Sequence, residues 1–186
     1  VRPIWGRGQA RTLAALQDIE ASLPFALLGL DSDNGGEFLN YHVLHWLQKR
    51  VRPVFMTRSR PWKKDDNAHV EQKNWTHVRQ NFGYERHDNP EVVEPITVLV
   101  KGAYGQLLNY FHASLKLERK ERSEGRLKRI YGPAQTPLAR VLASPEVTPQ
   151  TKRRLQEEKA RLNAFALKLQ VDRSLKAIAA MRRARP

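Results

Sequence analysis

The sequence contains no cysteine, so neither a disulfide nor a thiolate-based zinc site can form. No apolar run approaches the roughly 20 residues of a membrane-spanning helix, and no signal-peptide pattern opens at Val1; a cytoplasmic location is expected. Gly6 and Gly8 form no phosphate loop, because the spacing and the following Lys-Ser/Thr are missing. Internal repeats and low-complexity linkers are absent as well. Acidic residues are scarce: 19 Asp and Glu stand against 33 Lys and Arg, a net charge of +14 over 186 residues. Such an excess argues for a polyanionic partner, and nucleic acid is the default one. The length suits one domain of ordinary size plus an appendage.

What is present centres on Gly29 to Arg79. An apolar run from Phe25 to Leu30 leads into Asp31 and Asp33, which a strand's period of two sends to one face. Asn34-Gly35-Gly36 then ends the strand in a turn. Asp33 is thereby expected at the C-terminal lip of a strand, where α/β sheets place ligands. Further on, Asp66 or Asn67 can cap a helix that carries Glu71 early and Trp75, Val78 and Phe82 along one stripe. Glu71 is expected on or beside the core-facing side. A carboxylate there costs free energy unless it is paired or bound to metal, and the alternative is a solvated glutamate on a surface helix.

Four segments in order, Asp33-Asn-Gly-Gly-Glu-Phe38, Arg58-Ser-Arg-Pro61, Lys63-Lys-Asp-Asp-Asn-Ala-His-Val-Glu71 and Asn74-Trp-Thr-His-Val-Arg79, make the sequence similar to the catalytic core of retroviral-type integrases and the related bacterial insertion-sequence transposases. The resemblance is specific over residues 1–87. It implies a ribonuclease H-like fold with an Asp, Asp, Glu triad, in which Asp33 matches the second aspartate and Glu71 the glutamate, with 37 residues between them. It further implies two divalent ions, Mg2+ or Mn2+, held by the triad, DNA ends and a target duplex as partners, and a homo-oligomer on DNA. Oxygen ligands suit those ions, and two of them would stabilise the entering and leaving oxygens of an in-line displacement. The first aspartate of the triad finds no match, because no acidic residue precedes Asp18. The expectation is a transposase lacking its leading strands and inactive alone.

Basic residues cluster where DNA would have to pass. Lys49, Arg50, Arg52, Arg58, Arg60, Lys63 and Lys64 have no acidic residue among them, and Trp62 could stack on a base or sugar. Lys73, Asn74 and Arg79 lie on the same expected helix as Glu71, with the two cations placed for phosphate contacts. His42 and His45 form His-x-x-His, more readily a solvated or stacking pair than a metal site.

In chain order, the pattern predicts a short strand over Val1–Trp5, an amphipathic helix over Gln9–Ser22, a strand over Phe25–Asp33, and a helix over Glu37–Val51 burying Phe38, Tyr41, Leu44, Leu47 and Val51. A strand over Pro53–Thr57 and the Glu71 helix, ending at Gly83, complete an α/β unit over residues 1–90. Residues 91–186 read as a basic, mainly helical region. It begins with a helical stretch to Phe111, continues through a loop or short basic hairpin from Leu115 to Tyr131, and ends in a helical tail from Thr148 or Gln150 with eleven basic and three acidic residues after Pro149. Two other classes compete: a non-catalytic basic nucleic-acid-binding module, and a ribonuclease H-like nuclease of another kind.

Overall fold

Gln9–Ser22 forms the first helix, α1, and Pro24 lies just beyond it, unable to continue the turn. A computed structural model describes residues 1–6, 8–32, 35–60, 68–84, 89–123 and 125–183. The architecture is mixed α/β with helix dominating. The chain divides into two compact units, residues 1–98 with 173–186, and residues 99–172.

In the first unit, β1 (Gly29–Ser32), α2 (Tyr41–Gln48) and β2 (Phe55–Arg58) make a strand–helix–strand unit whose strands pair in parallel, Gly29 opposite Phe55 and Ser32 opposite Arg58. A helical crossover is what parallel pairing of neighbours requires. Val43, Leu47 and Val54 form the core, with Leu13, Leu16, Leu27, Leu30, Trp46 and Met56 packed against it. Arg50, just beyond α2, ties that end of the helix to α1 by donating to the Glu20 carboxylate, while its guanidinium lies 5.0 Å from the Trp46 ring centre.

Several sequence expectations shift here. Val1–Trp5 forms no strand, and the central strand starts at Gly29 rather than Phe25. The helix expected over Glu37–Val51 spans only Tyr41–Gln48, because Asn40 caps it by accepting the Val43 amide at 3.1 Å. Leu47 is buried as expected and Val43 joins it, whereas Tyr41 is 74% exposed and Val51 wholly exposed.

The Glu71 helix is continuous but irregular: α3 (Ala68–Asn74), a π-helical turn (Trp75–Arg79) and a last turn, α4 (Gln80–Phe82). Gly83 ends it at φ +77°, a conformation glycine adopts without cost. The π turn inserts an extra residue into the helical repeat. Phe82 is buried as expected, whereas Trp75 is 48% exposed. A 3-10 turn at Pro90–Val92 leads into α5 (Val93–Lys101), which buries Ile96 in this unit.

In the second unit, α6 (Ala103–Tyr110) buries Ala103, Tyr104, Leu107 and Tyr110. The antiparallel hairpin β3 (Leu117–Ser123) and β4 (Arg126–Tyr131) turns at Gly125, φ +78°. Thr136 and Thr148 cap α7 (Pro137–Ala143) and α8 (Pro149–Ala160), each with proline in the first turn. Asn163 accepts from the Phe165 and Ala166 amides at the start of α9 (Ala164–Arg183). Tyr110, Leu138 and Leu155 form the core of this unit, with Phe111, Val141, Leu142 and Leu162 against it. The division between the two compact units falls after residue 98, and the later part of α9 is grouped with the first unit.

Candidate nucleic-acid and metal site

Parallel pairing brings the carboxyl ends of β1 and β2 to one lip of the small sheet. The carbonyl of Ser32, the residue before Asp33, accepts the Ser59 amide at 3.1 Å, and Ser59 lies between Arg58 and Arg60. The two arginines expected to face DNA therefore stand beside the segment that leads into Asp33. Both are exposed. Asp33 itself, like Trp62, Lys63, Lys64 and the cap candidates Asp66 and Asn67, lies outside the described residues.

Asp31 occupies the exposed face of β1, and its Oδ1 accepts the Thr57 hydroxyl at 2.6 Å. Ser32 points the other way and is buried; its hydroxyl has no hydrogen-bond partner among the described residues.

Glu71 sits in the first turn of α3, where the partial positive charge of a helix N-terminus favours a carboxylate. It is exposed, as in the reading of a solvated glutamate on a surface helix and not in that of a core-facing one: the π turn that follows turns it relative to the buried Phe82. Lys73 and Asn74 are exposed next to it. Arg79 lies over the Tyr84 ring, 5.2 Å from its centre, and the Trp75 ring packs at 5.9 Å from Tyr84. Sequence reasoning misses this cluster. It ends the helix at Gly83 and makes Trp75 a member of the buried stripe, yet Trp75 is 48% and Tyr84 69% exposed. The signal that could have found it is an arginine four residues after a tryptophan and five before a tyrosine, spanning the end of a basic helix. A guanidinium stacked on an aromatic face keeps its in-plane N–H groups for an anion.

The His42–His45 pair resolves as aromatic packing, Tyr41 meeting the His45 ring at 5.2 Å and the His42 ring at 6.3 Å. Among the described residues no three His, Asp or Glu side chains gather as a metal-ligand group. The carboxylate chemistry of Asp33 and Glu71 suits a hard divalent ion. Among the described residues no helix is long and apolar enough to cross a membrane.

No family model matches the chain, and no solved structure matches it. Among curated proteins it is similar to the uncharacterized protein y4rM of Sinorhizobium fredii (strain NBRC 101917 / NGR234), 37% identical over 140 residues. That match covers 74% of this chain and 39% of the relative, so the chain spans about two fifths of the relative's length.

Proposed function

We propose that this chain is part of an integrase-type DNA strand transferase with a ribonuclease H-like catalytic unit, to which it contributes a DNA-contacting surface and two carboxylates, Asp33 and Glu71. The observation that supports this most is the β1–α2–β2 unit: its parallel strands end together, with the step into Asp33 hydrogen-bonded to the residue between Arg58 and Arg60. A carboxylate following Ser32 and guanidinium groups on either side of its partner Ser59 would together suit a phosphodiester, whose charge the arginines would neutralise while the acid holds an ion. Asp33 and Glu71 would hold Mg2+ or Mn2+, and the ions would polarise the scissile phosphate. Arg58, Arg60, Lys73 and Arg79 would fix the backbone, with Lys63 and Lys64 assigned the same role from sequence. The sequence supplies two of the three carboxylates such a clamp requires.

The test uses the full reading frame in which this chain occurs, assayed for Mg2+-dependent cleavage and joining of duplex DNA. Asp33→Asn and Glu71→Gln should each remove product while leaving DNA binding in place. Undiminished joining by both variants would overturn the assignment. A second reading, a basic DNA-binding module without catalysis, draws on the exposure of Glu71 and predicts binding with no cleavage by the same full-length protein.

A further inference from the structure

The β3–β4 hairpin of the second unit takes no part in the site above, and its surface is unusual for a folded element. A two-stranded ribbon is marginal in water unless a face packs on something. Here, residues 117–122 and 126–129 are exposed along the whole ribbon. Its base is secured where Ser114 pairs with Gln135, the Gly132 amide donates to the Lys116 carbonyl, and Arg140 donates to the Ser114 hydroxyl at 3.0 Å.

The two faces differ in charge. On one, Arg119, Lys128 and Arg126 share the face with Glu121, which stands opposite Lys128 and accepts from Arg119 at 2.6 Å, so an acid offsets part of the positive charge. On the other, Lys120 stands directly opposite Arg129, and Arg122 opposite Leu127. Like charges facing each other across strands destabilise a hairpin. Alternation along β4 puts Leu127 and Tyr131 on the same side as Arg129, and these are 57% and 48% exposed. Glu118 lies at the base of the ribbon, its carboxylate against Gly132. Outward of Glu118 this face thus carries three cations and the exposed Leu127 with no acid among them, while the exposed Tyr131 lies at the base beside Gly132.

The geometry points to this hairpin face as a second DNA-binding surface, a two-stranded ribbon that enters the major groove of duplex DNA and contacts the backbone through Lys120, Arg122 and Arg129. The phosphates neutralise the Lys120–Arg129 repulsion that the free hairpin bears. B-DNA's major groove is wide enough to admit a two-stranded ribbon, whereas the major groove of A-form RNA is too narrow and deep for one. Leu127 and Tyr131 are placed for apolar contact with groove edges or sugars. The inference rests on the proposed reading only in taking DNA as the partner; it needs neither carboxylate nor metal.

The experiment measures binding of the chain to a short DNA duplex and to the RNA duplex of the same sequence, in chelator and over a range of salt. Changing Lys120, Arg122 and Arg129 together to Ala should lower the slope of log affinity against log salt by about 2–3 units for DNA. A second variant guards against loss of folding. Lys120→Glu places an acid opposite Arg129 and should hold or raise the melting temperature, yet weaken DNA binding about tenfold or more at low salt, by removing one phosphate contact and adding a repulsion. DNA binding unchanged in both variants, with the parent binding normally, would overturn the hairpin assignment and leave the catalytic proposal intact. Equal loss for the RNA duplex would overturn the major-groove placement. Failure of the parent chain to bind DNA at all would overturn both, whereas binding without cleavage in the full-length protein would remove only the catalytic reading.

Discussion

The hydroxyl of Thr57 donates to the Asp31 carboxylate at 2.6 Å across the parallel register of β1 and β2. That bond gives Asp31 a partner within the sheet and separates its role from that of Asp33 two residues on. Manganese affinity, followed by the relaxation of water protons, should fall about tenfold or more in Asp33→Asn and in Glu71→Gln, since each removes one charged ligand. Asp31→Asn should leave it nearly unchanged. The reverse order would move the ion to the exposed face of β1.

DNA binding by the first unit should be dominated by the phosphate backbone. Changing Arg58, Arg60, Lys63 and Lys64 to Ala leaves at most four phosphates without a cation, so the salt slope should fall by up to about 3–4 units, near 0.9 for each phosphate no longer neutralised. A slope that does not move would shift DNA binding away from the sheet lip, leaving the hairpin as the surface to test first.

Much of this fold was legible where one residue type settles a local question. Apolar spacing and Pro24 bound α1 at the residues observed, and Gly83, read as a helix end, takes positive φ; the hairpin was one of two readings of Leu115 to Tyr131, and Gly125 supplies the positive φ of its turn. Thr148 was one of two starts read for the last helical region, and it caps α8. The buried face of α2 was legible only at Leu47, and its start was not, because Glu37 and Asn40 are both reasonable helix starts and only the Asn40 side-chain bond chooses between them. Nor was the exposure of Trp75, since a π turn needs no distinctive residue and turns the side chains before it relative to the buried Phe82 after it. As for the site, motif order suggested Asp33 and Glu71, but helical periodicity misplaced Glu71 for that same reason. The charge asymmetry of the hairpin depended on register, which neither composition nor the position of Gly125 supplies.

Alkaline stability should depend on Tyr110. Its hydroxyl is bonded to the Glu158 carboxylate, and burial first, then that bond and the nearby negative charge, push its pKa above the usual phenol value. The folded chain thus holds this proton more tightly than the unfolded chain, whose phenol releases it near about pH 10. The stabilisation is fully present below that pH and is lost as pH rises above it towards the folded value. Tyr110→Phe should cost about 1–2 kcal/mol at neutral pH, the loss of a hydrogen bond to a charged acceptor. Urea melts from neutral to strongly alkaline pH should show the gap between parent and variant closing above about pH 10. A gap that stays constant would mean the hydroxyl contributes by packing alone.

The break between α5 and α6 makes the sharpest stability prediction. Gly102 leaves helical geometry at φ −96°, ψ −118°, and the Val100 carbonyl ends so close to Gly105 that a Cβ added there would lie 2.5 Å from its oxygen. Alanine is the better helix former by about 1 kcal/mol, so on propensity alone Gly105→Ala would stabilise α6. The obstacle is backbone rather than the end of a flexible side chain, however, and relieving it means moving the turn that sets α6 with its buried Ala103, Tyr104 and Leu107. Overpacking of that kind costs about 1–3 kcal/mol, enough to outweigh the propensity gain. Gly105→Ala should therefore melt lower than the parent, and Gly105→Val lower still, since β-branching adds bulk at the same point. Gly102→Ala serves as the comparison, because it tests the break itself without changing Gly105. A more stable Gly105→Ala protein would show that the turn yields easily and that α5 and α6 can approach a single continuous helix.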